Sequence, residues 1–273
     1  QMSGHGESTG EIVKSLVVIV LIAVAKGVAA VISGSGAMLA ETLHSFADCG
    51  NQILLLVGVR QAKRPPDDKH PLGHGRDMYF WSFMVALLLF AGGGVFSVYE
   101  GVHKIAHPEP VEHIGWALGI LGFSLALEGW ALFGNLREMK RRRGAKGLVK
   151  YLQDTKDSDL VVVFGENLAD VLGLFIASLS ILGFVVTGDA RCDALGSIAV
   201  GVVLVGISVF LAKEVKSLLV GESADPEIAA LAVKFAGEDK RIEEVIHCFT
   251  IQQGPNQVLL VVKLKIDATL VAR

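Results

Sequence analysis

Apolar residues run in six long stretches, at 12–32, 37–59, 78–99, 114–134, 159–186 and 193–212, divided by short polar or basic segments. Each is near the ~20 residues that a helix needs to cross a bilayer. The pattern changes in a tail that begins near Val215. There Asp225-Pro226-Glu227 reads as a helix start, with Asp as N-cap, Pro at the first helical position and Glu at the positive helix end, and the helix is expected to reach about Gly237. Ile242–Thr250 and Gln257–Asp267 read as strands joined by a Gly254-Pro255-Asn256 turn, the second alternating as Val262-Lys263-Leu264-Lys265-Ile266. The predicted fold is an all-α membrane protein of six transmembrane helices with a small α+β tail. Its expected divisions are a polar N-terminal tail at 1–10, a six-helix transmembrane domain at 11–213 and a tail domain at 214–273. One helix and two strands bury too little to be stable alone, so the tail is expected to pair with a second copy of itself.

Composition agrees with this pattern. With 52% hydrophobic side chains and a mean hydropathy of +0.52, the 273 residues are too apolar for an ordinary soluble domain. The segment 60–77 carries five Lys and Arg and 137–156 carries eight, whereas 33–37 has none, 99–113 only Lys104 and 187–192 only Arg191. Positive charge collects on the cytoplasmic side, so both termini are expected to be cytoplasmic. The run Arg141-Arg142-Arg143 would suit anionic lipid headgroups as well as nucleic acid, but beside a bilayer lipid contact or plain topology is the expected reading, and no nucleic-acid partner is expected. Cys49, Cys192 and Cys248 form no CxxC pair and predict no disulfide framework. The first ten residues have no cleavable-signal pattern, which leaves the first span as the expected membrane signal.

Chemistry sits inside the apolar stretches. His44 and Asp48 on the second span, and Glu166 and Asp170 on the fifth, are i, i+4 pairs, so each pair shares one helix face. Counted from the cytoplasmic ends, His44 and Asp48 lie roughly 24 and 18 Å deep and Asp170 and Glu166 roughly 18 and 12 Å, so the pairs overlap in depth. Facing each other, they present one imidazole and three carboxylates, enough to close a tetrahedron around a divalent cation. A structural polar network is the bland alternative, but three acids with one potential base leave unpaired charge that a cation resolves. Asn51 and Asn167 stand beside these pairs as supporting residues. Lys26, Glu100 and Glu128 read as structural ion pairs or interface groups. Gly165, Ala169 and Gly173 form a small-residue stripe that suits close approach of the second span. In the loop Arg64-Pro65-Pro66-Asp67-Asp68-Lys69-His70-Pro71-Leu72-Gly73-His74-Gly75-Arg76, Asp67, His70 and His74 offer a second zinc-type cluster, though the prolines and glycines by themselves explain a tight turn.

Several segments in order resemble the cation diffusion facilitator family. They are Ser33-Gly34-Ser35, Ala40-Glu41-Thr42-Leu43-His44-Ser45-Phe46-Ala47-Asp48, the loop just quoted, Tyr99-Glu100-Gly101, His107-Pro108-Glu109-Pro110 and Glu166-Asn167-Leu168-Ala169-Asp170. The resemblance covers essentially the whole chain. It implies a homodimeric, six-helix, proton-coupled exporter of zinc or a similar metal, with a cytoplasmic αββα domain of the ferredoxin-like, metallochaperone type. It also implies that His44, Asp48, Glu166 and Asp170 form the transport site and that Asp67, His70 and His74 form the loop site found in some members. Many members have His where this chain has Glu166, and the Glu form resembles a branch that includes mitochondrial zinc transporters. A carboxylate hardens the site and admits Mn²⁺, Co²⁺ or Fe²⁺ beside Zn²⁺, which stays the first choice. The tail stops where the second helix of the αββα unit is due. His247 is a further tail candidate, although its neighbour Cys248 points to the opposite face of a strand.

The expected function is therefore efflux of a divalent cation in exchange for protons, by alternating access around a mid-membrane site. Ligands must shed protons to take the metal, and His44 has the ordinary titration range nearest neutral pH. The expected partners are the metal, protons, the bilayer and a second copy of the chain, with no cofactor beyond the transported ion and no enzyme activity. The location is an inner membrane in a bacterium or an organelle membrane in a eukaryote. The rivals are a membrane metal sensor without flux and an intramembrane metalloenzyme. The second needs an open coordination position and a substrate-activating base, and the core offers four candidate ligands and no HExxH.

Overall fold

Helix α1 (Thr9–Ser33) turns into α2 (Gly36–Ala62) through Gly34, whose φ of 64° is in the left-handed region open to glycine. Ser35 caps α2, its hydroxyl accepting from the Met38 N–H at 3.1 Å. A distant residue completes the cap. Asp193, in the first turn of α8 (Arg191–Val220), accepts from Ser35 Oγ at 2.5 Å and from the Gly36 N–H at 2.5 Å, and Lys104 bonds both this aspartate and the Gly34 carbonyl. The α1–α2 turn is thereby tied to the start of α8 and to the end of the helix at Phe96–Ala106. This computed structural model describes residues 9–108, 111–144, 147–239, 241–255 and 257–266. Residues 1–8 of the expected N-terminal tail, Glu109 and Pro110 of the family-like segment, Asn256 of the hairpin turn and Asp267 lie outside the described residues.

The third apolar stretch forms one long helical rod, α3 (Asp77–Leu88) and α4 (Phe96–Ala106), interrupted by a π-helical stretch at Leu89–Val95. Three consecutive glycines, Gly92 to Gly94, lie in that stretch. A Cβ on Gly94, on Gly101 of α4 or on Gly201 of α8 would strike the backbone of the facing helix, so these glycines let the rod and α8 touch backbone to backbone. α5 (Ile114–Arg143) follows, then a short α6 (Leu148–Asp154) inside the basic linker, and α7 (Ser158–Thr187), capped by the Asp157 carboxylate on the Leu160 N–H. Among the described residues, four helical segments are long and apolar enough to cross a membrane: Asp77–Ala106, Ile114–Arg143, Leu160–Thr187 and Arg191–Val220. α2 is less apolar because it carries Glu41, His44, Asp48 and Asn51. Outward-facing Val31, Trp130 and Val186, each over 80% exposed, belong to an apolar belt suited to lipid.

α8 runs unbroken to Val220, across the division expected at 213/214, because its apolar face stays packed: Leu211, Val215 and Leu218 are buried. The tail then follows its expected pattern. α9 (Pro226–Glu238) is capped by Asp225, and β1 (Ile242–Gly254) pairs antiparallel with β2 (Gln257–Ile266), with His247 opposite Lys263 and Cys248 opposite Val262. Within the chain the hairpin tip leans on the membrane domain. The Gly75 backbone abuts Gly254, the Gln252 N–H donates to the Glu222 carbonyl at 2.8 Å, and Lys156 pairs with Glu222 at 2.5 Å.

Candidate metal-transport site

α2 and α7 pack with their acidic faces together. His44, fully buried, sits between two carboxylates. Its Nδ1 is 3.6 Å from Asp48 Oδ1 on the same helix, and its Nε2 is 3.2 Å from Asp170 Oδ1 on α7. The ligand atoms of these three residues all lie within 4.8 Å of one another. Glu166, 4% exposed, stands one turn away on α7 and outside that triplet. It lines a cavity of about 60 Å³ together with Asp48, Asp170, Asn167, Ser45 and Glu128. Asn51 Nδ2 reaches toward Asp48 Oδ1 at 3.5 Å, so the two expected supporting residues divide between the triplet and the cavity.

Two neighbours of this site carry more weight than their sequence suggested, and a third behaves as expected. Glu128, read as a structural group, faces the cavity from α5; the available signal was an acid in an apolar span. Gly93 of the π-helical stretch is packed close by, since a Cβ there would lie 3.8 Å from His44 Nδ1 and 3.2 Å from Leu204. The Gly92–Gly94 run was visible, but a π-helical stretch has no sequence period of its own. Lys26 forms the expected ion pair, with Glu41 of α2 at 3.5 Å. The small-residue stripe divides. Gly165 lies against Leu211 of α8, and Gly173 lies against the Glu41 carboxylate of α2.

The loop cluster is also assembled. Asp67 Oδ1 is 3.1 Å from His70 Nδ1, Asp67 Oδ2 is 3.1 Å from His74 Nε2, and His74 Nδ1 is 3.4 Å from Asp77 at the start of α3. Ligand atoms of Asp67, His70 and His74 lie within 4.8 Å of one another. The His70 N–H, then the His74 side chain, hold the Asp67 carboxyl down at about 2. His247 joins no such group among the described residues. It faces Phe249 and Lys263, while Cys248 Sγ is directed to the Ala229 carbonyl of α9 on the opposite side.

Residues 12–220 match the cation efflux transmembrane domain. The chain belongs to the cation efflux, or cation diffusion facilitator, family. It is 34% identical over 246 residues to the mitochondrial proton-coupled zinc antiporter SLC30A9 of Xenopus laevis, an alignment covering 89% of this chain and 44% of that protein. The human SLC30A9 antiporter is 32% identical over 250 residues, covering 91% and 44%, and metal tolerance protein C4 of Arabidopsis thaliana is 30% identical over 225 residues, covering 82% and 49%. The chain thus spans less than half the length of these relatives. As a cation efflux protein it is a multi-pass integral membrane protein, and its matched region ends where α8 ends.

Proposed function

We propose that this protein transports a divalent metal cation, Zn²⁺ first, out of the cytoplasm in exchange for protons, and that it catalyses no chemical reaction. The observation that carries the reading is the triplet of His44, Asp48 and Asp170, buried between α2 and α7 with ligand atoms within 4.8 Å of one another. Glu166, from the cavity wall one turn away, supplies the fourth ligand. One imidazole with carboxylates suits Zn²⁺, and the surplus of carboxylate admits Mn²⁺, Co²⁺ or Fe²⁺. The names of the relatives, zinc antiporter and metal tolerance protein, support the same cargo.

Protons and metal are alternative ligands of one site. Binding the cation requires a neutral imidazole and ionised carboxylates, so loading expels protons and protons from the far side expel the cation. The bundle opens to one side at a time around this site, with six spans and both termini in the cytoplasm. The tail domains dimerise, and Asp67, His70 and His74 bind metal outside the translocation path. The protein resides in a plasma membrane of a bacterium or an organelle membrane of a eukaryote.

Reconstituted vesicles enclosing a metal-sensitive dye test the reading. Entry of external Zn²⁺ with counterflow of protons is the expected result. Zn²⁺ binding without flux would make the protein a sensor and overturn the transport assignment.

A further inference from the structure

Lys26 is fully buried in the apolar helix α1, where an ammonium demands a partner. Its Nζ donates to Ser45 Oγ at 2.7 Å and lies 3.5 Å from Glu41 Oε2. Ser45 belongs to the wall of the cavity that carries Asp48, Glu128, Glu166 and Asp170. The shorter bond therefore runs to the cavity wall and the longer one to the counterion. Besides Glu41, the charges that Lys26 faces are Asp170, Glu128 and Asp48. Glu41 is seated by shape. Its carboxylate occupies the space beside Gly173 of α7, where a Cβ would collide with Oε1, and neither of its oxygens accepts a hydrogen bond among the described residues. It holds the ammonium by charge at ion-pair distance.

We propose that Lys26 is a resident cation that competes with the transported metal for the cavity's carboxylates, and that Glu41 sets the strength of that competition by holding the ammonium to one side. The idea rests on the assignment of the cargo to this cavity. Both cations are attracted by the same acids, and in a water-poor interior the attraction is weakly screened. A transport site must also bind weakly enough to release, and a competing charge that never leaves the protein achieves this without removing a ligand.

Zn²⁺ affinity of the purified full chain, titrated against a chromophoric chelator, tests the proposal. The parent for these measurements carries His70→Ala and His74→Ala, so that loop binding does not contribute. Glu41→Gln frees the ammonium to turn to the cavity and is expected to weaken Zn²⁺ binding about tenfold. Adding Lys26→Met to Glu41→Gln removes the competitor and is expected to return affinity to within about threefold of the parent. Gly173→Ala displaces the same carboxylate without changing its charge and is expected to weaken binding likewise, which keeps the test open should Glu41→Gln fold poorly. Unchanged affinity in both Glu41→Gln and Gly173→Ala, or a double variant as weak as Glu41→Gln, overturns the proposal. Parent-like affinity in Asp170→Ala would show instead that the cavity is not the cargo site, and the proposal would fall with that assignment.

Discussion

The core cluster of His44, Asp48 and Asp170 and the loop cluster of Asp67, His70 and His74 use the same residue types, and each keeps its ligand atoms within 4.8 Å of one another. They differ in how they are held. The loop cluster spans eight consecutive residues, and the side chains of Asp67 and His70 are 52% and 54% exposed. The Lys69 and His70 N–H groups donate to Asp67 Oδ1, and exposure leaves Asp67 and His70 open to solvent. The core cluster joins two helices far apart in sequence, and His44 has no exposure to water. There each carboxylate must be balanced by a proton, by Lys26 or by a cation. Burial turns a cluster that solvent can satisfy into one whose charges need a counter-charge inside the protein.

The comparison breaks most visibly at the aspartates. Asp48→Ala or Asp170→Ala opens the buried shell and strands its neighbours, so Zn²⁺ flux into vesicles should fall about a hundredfold or more. Normal transport by Asp170→Ala would make the core cluster a structural network. A change of ligand at Glu166 should have a smaller effect. Glu166→His should retain flux while shifting the Zn²⁺ over Mn²⁺ preference by about tenfold toward zinc, because imidazole is the softer donor. An unmoved metal ranking in competition assays would remove Glu166 from the shell.

Smaller still is the expected cost of losing the loop. His70→Ala with His74→Ala should leave flux within about threefold of the unaltered protein while lowering the amount of Zn²⁺ bound at equilibrium. Loss of flux to background would place the loop on the path. The least effect concerns Asp67, whose carboxyl is held at about 2 by the His70 N–H and then the His74 side chain. Because the folded value is below the ordinary ~3.9, its stabilisation of the loop is complete above about pH 4 and is lost as pH falls through about 2. A ¹³C carboxyl titration of Asp67 should find that midpoint, and one near 4 would show that the turn does not preorganise the cluster.

Much of this protein could be read along the chain because its strongest signals are local. Hydrocarbon admits almost only helices, so the long apolar stretches at 78–99, 114–134, 159–186 and 193–212 lie within helical segments with the length and apolarity to span. Asp225-Pro226 starts α9 because a cap acts within one turn. The i, i+4 spacings placed His44 with Asp48 and Glu166 with Asp170 on single faces for the same reason. Asp67, His70 and His74 meet through a turn written by adjacent residues.

Only tertiary structure decided which faces meet. Asp170 approaches His44 while Glu166 turns to the cavity wall, a choice made by how α7 rotates against α2. Gly173 faces Glu41 and Gly165 faces Leu211, although both glycines stand on one stripe. Glu128 on α5, Lys26 on α1 and the π-helical stretch at Leu89–Val95 reach the site from three further segments whose patterns register apolarity but not mutual position. Asp193 caps α2 from the start of α8, a bond across the chain that no local period encodes. Periodicity tells each helix which of its sides is polar; the packing of all of them together determines which polar side another one answers.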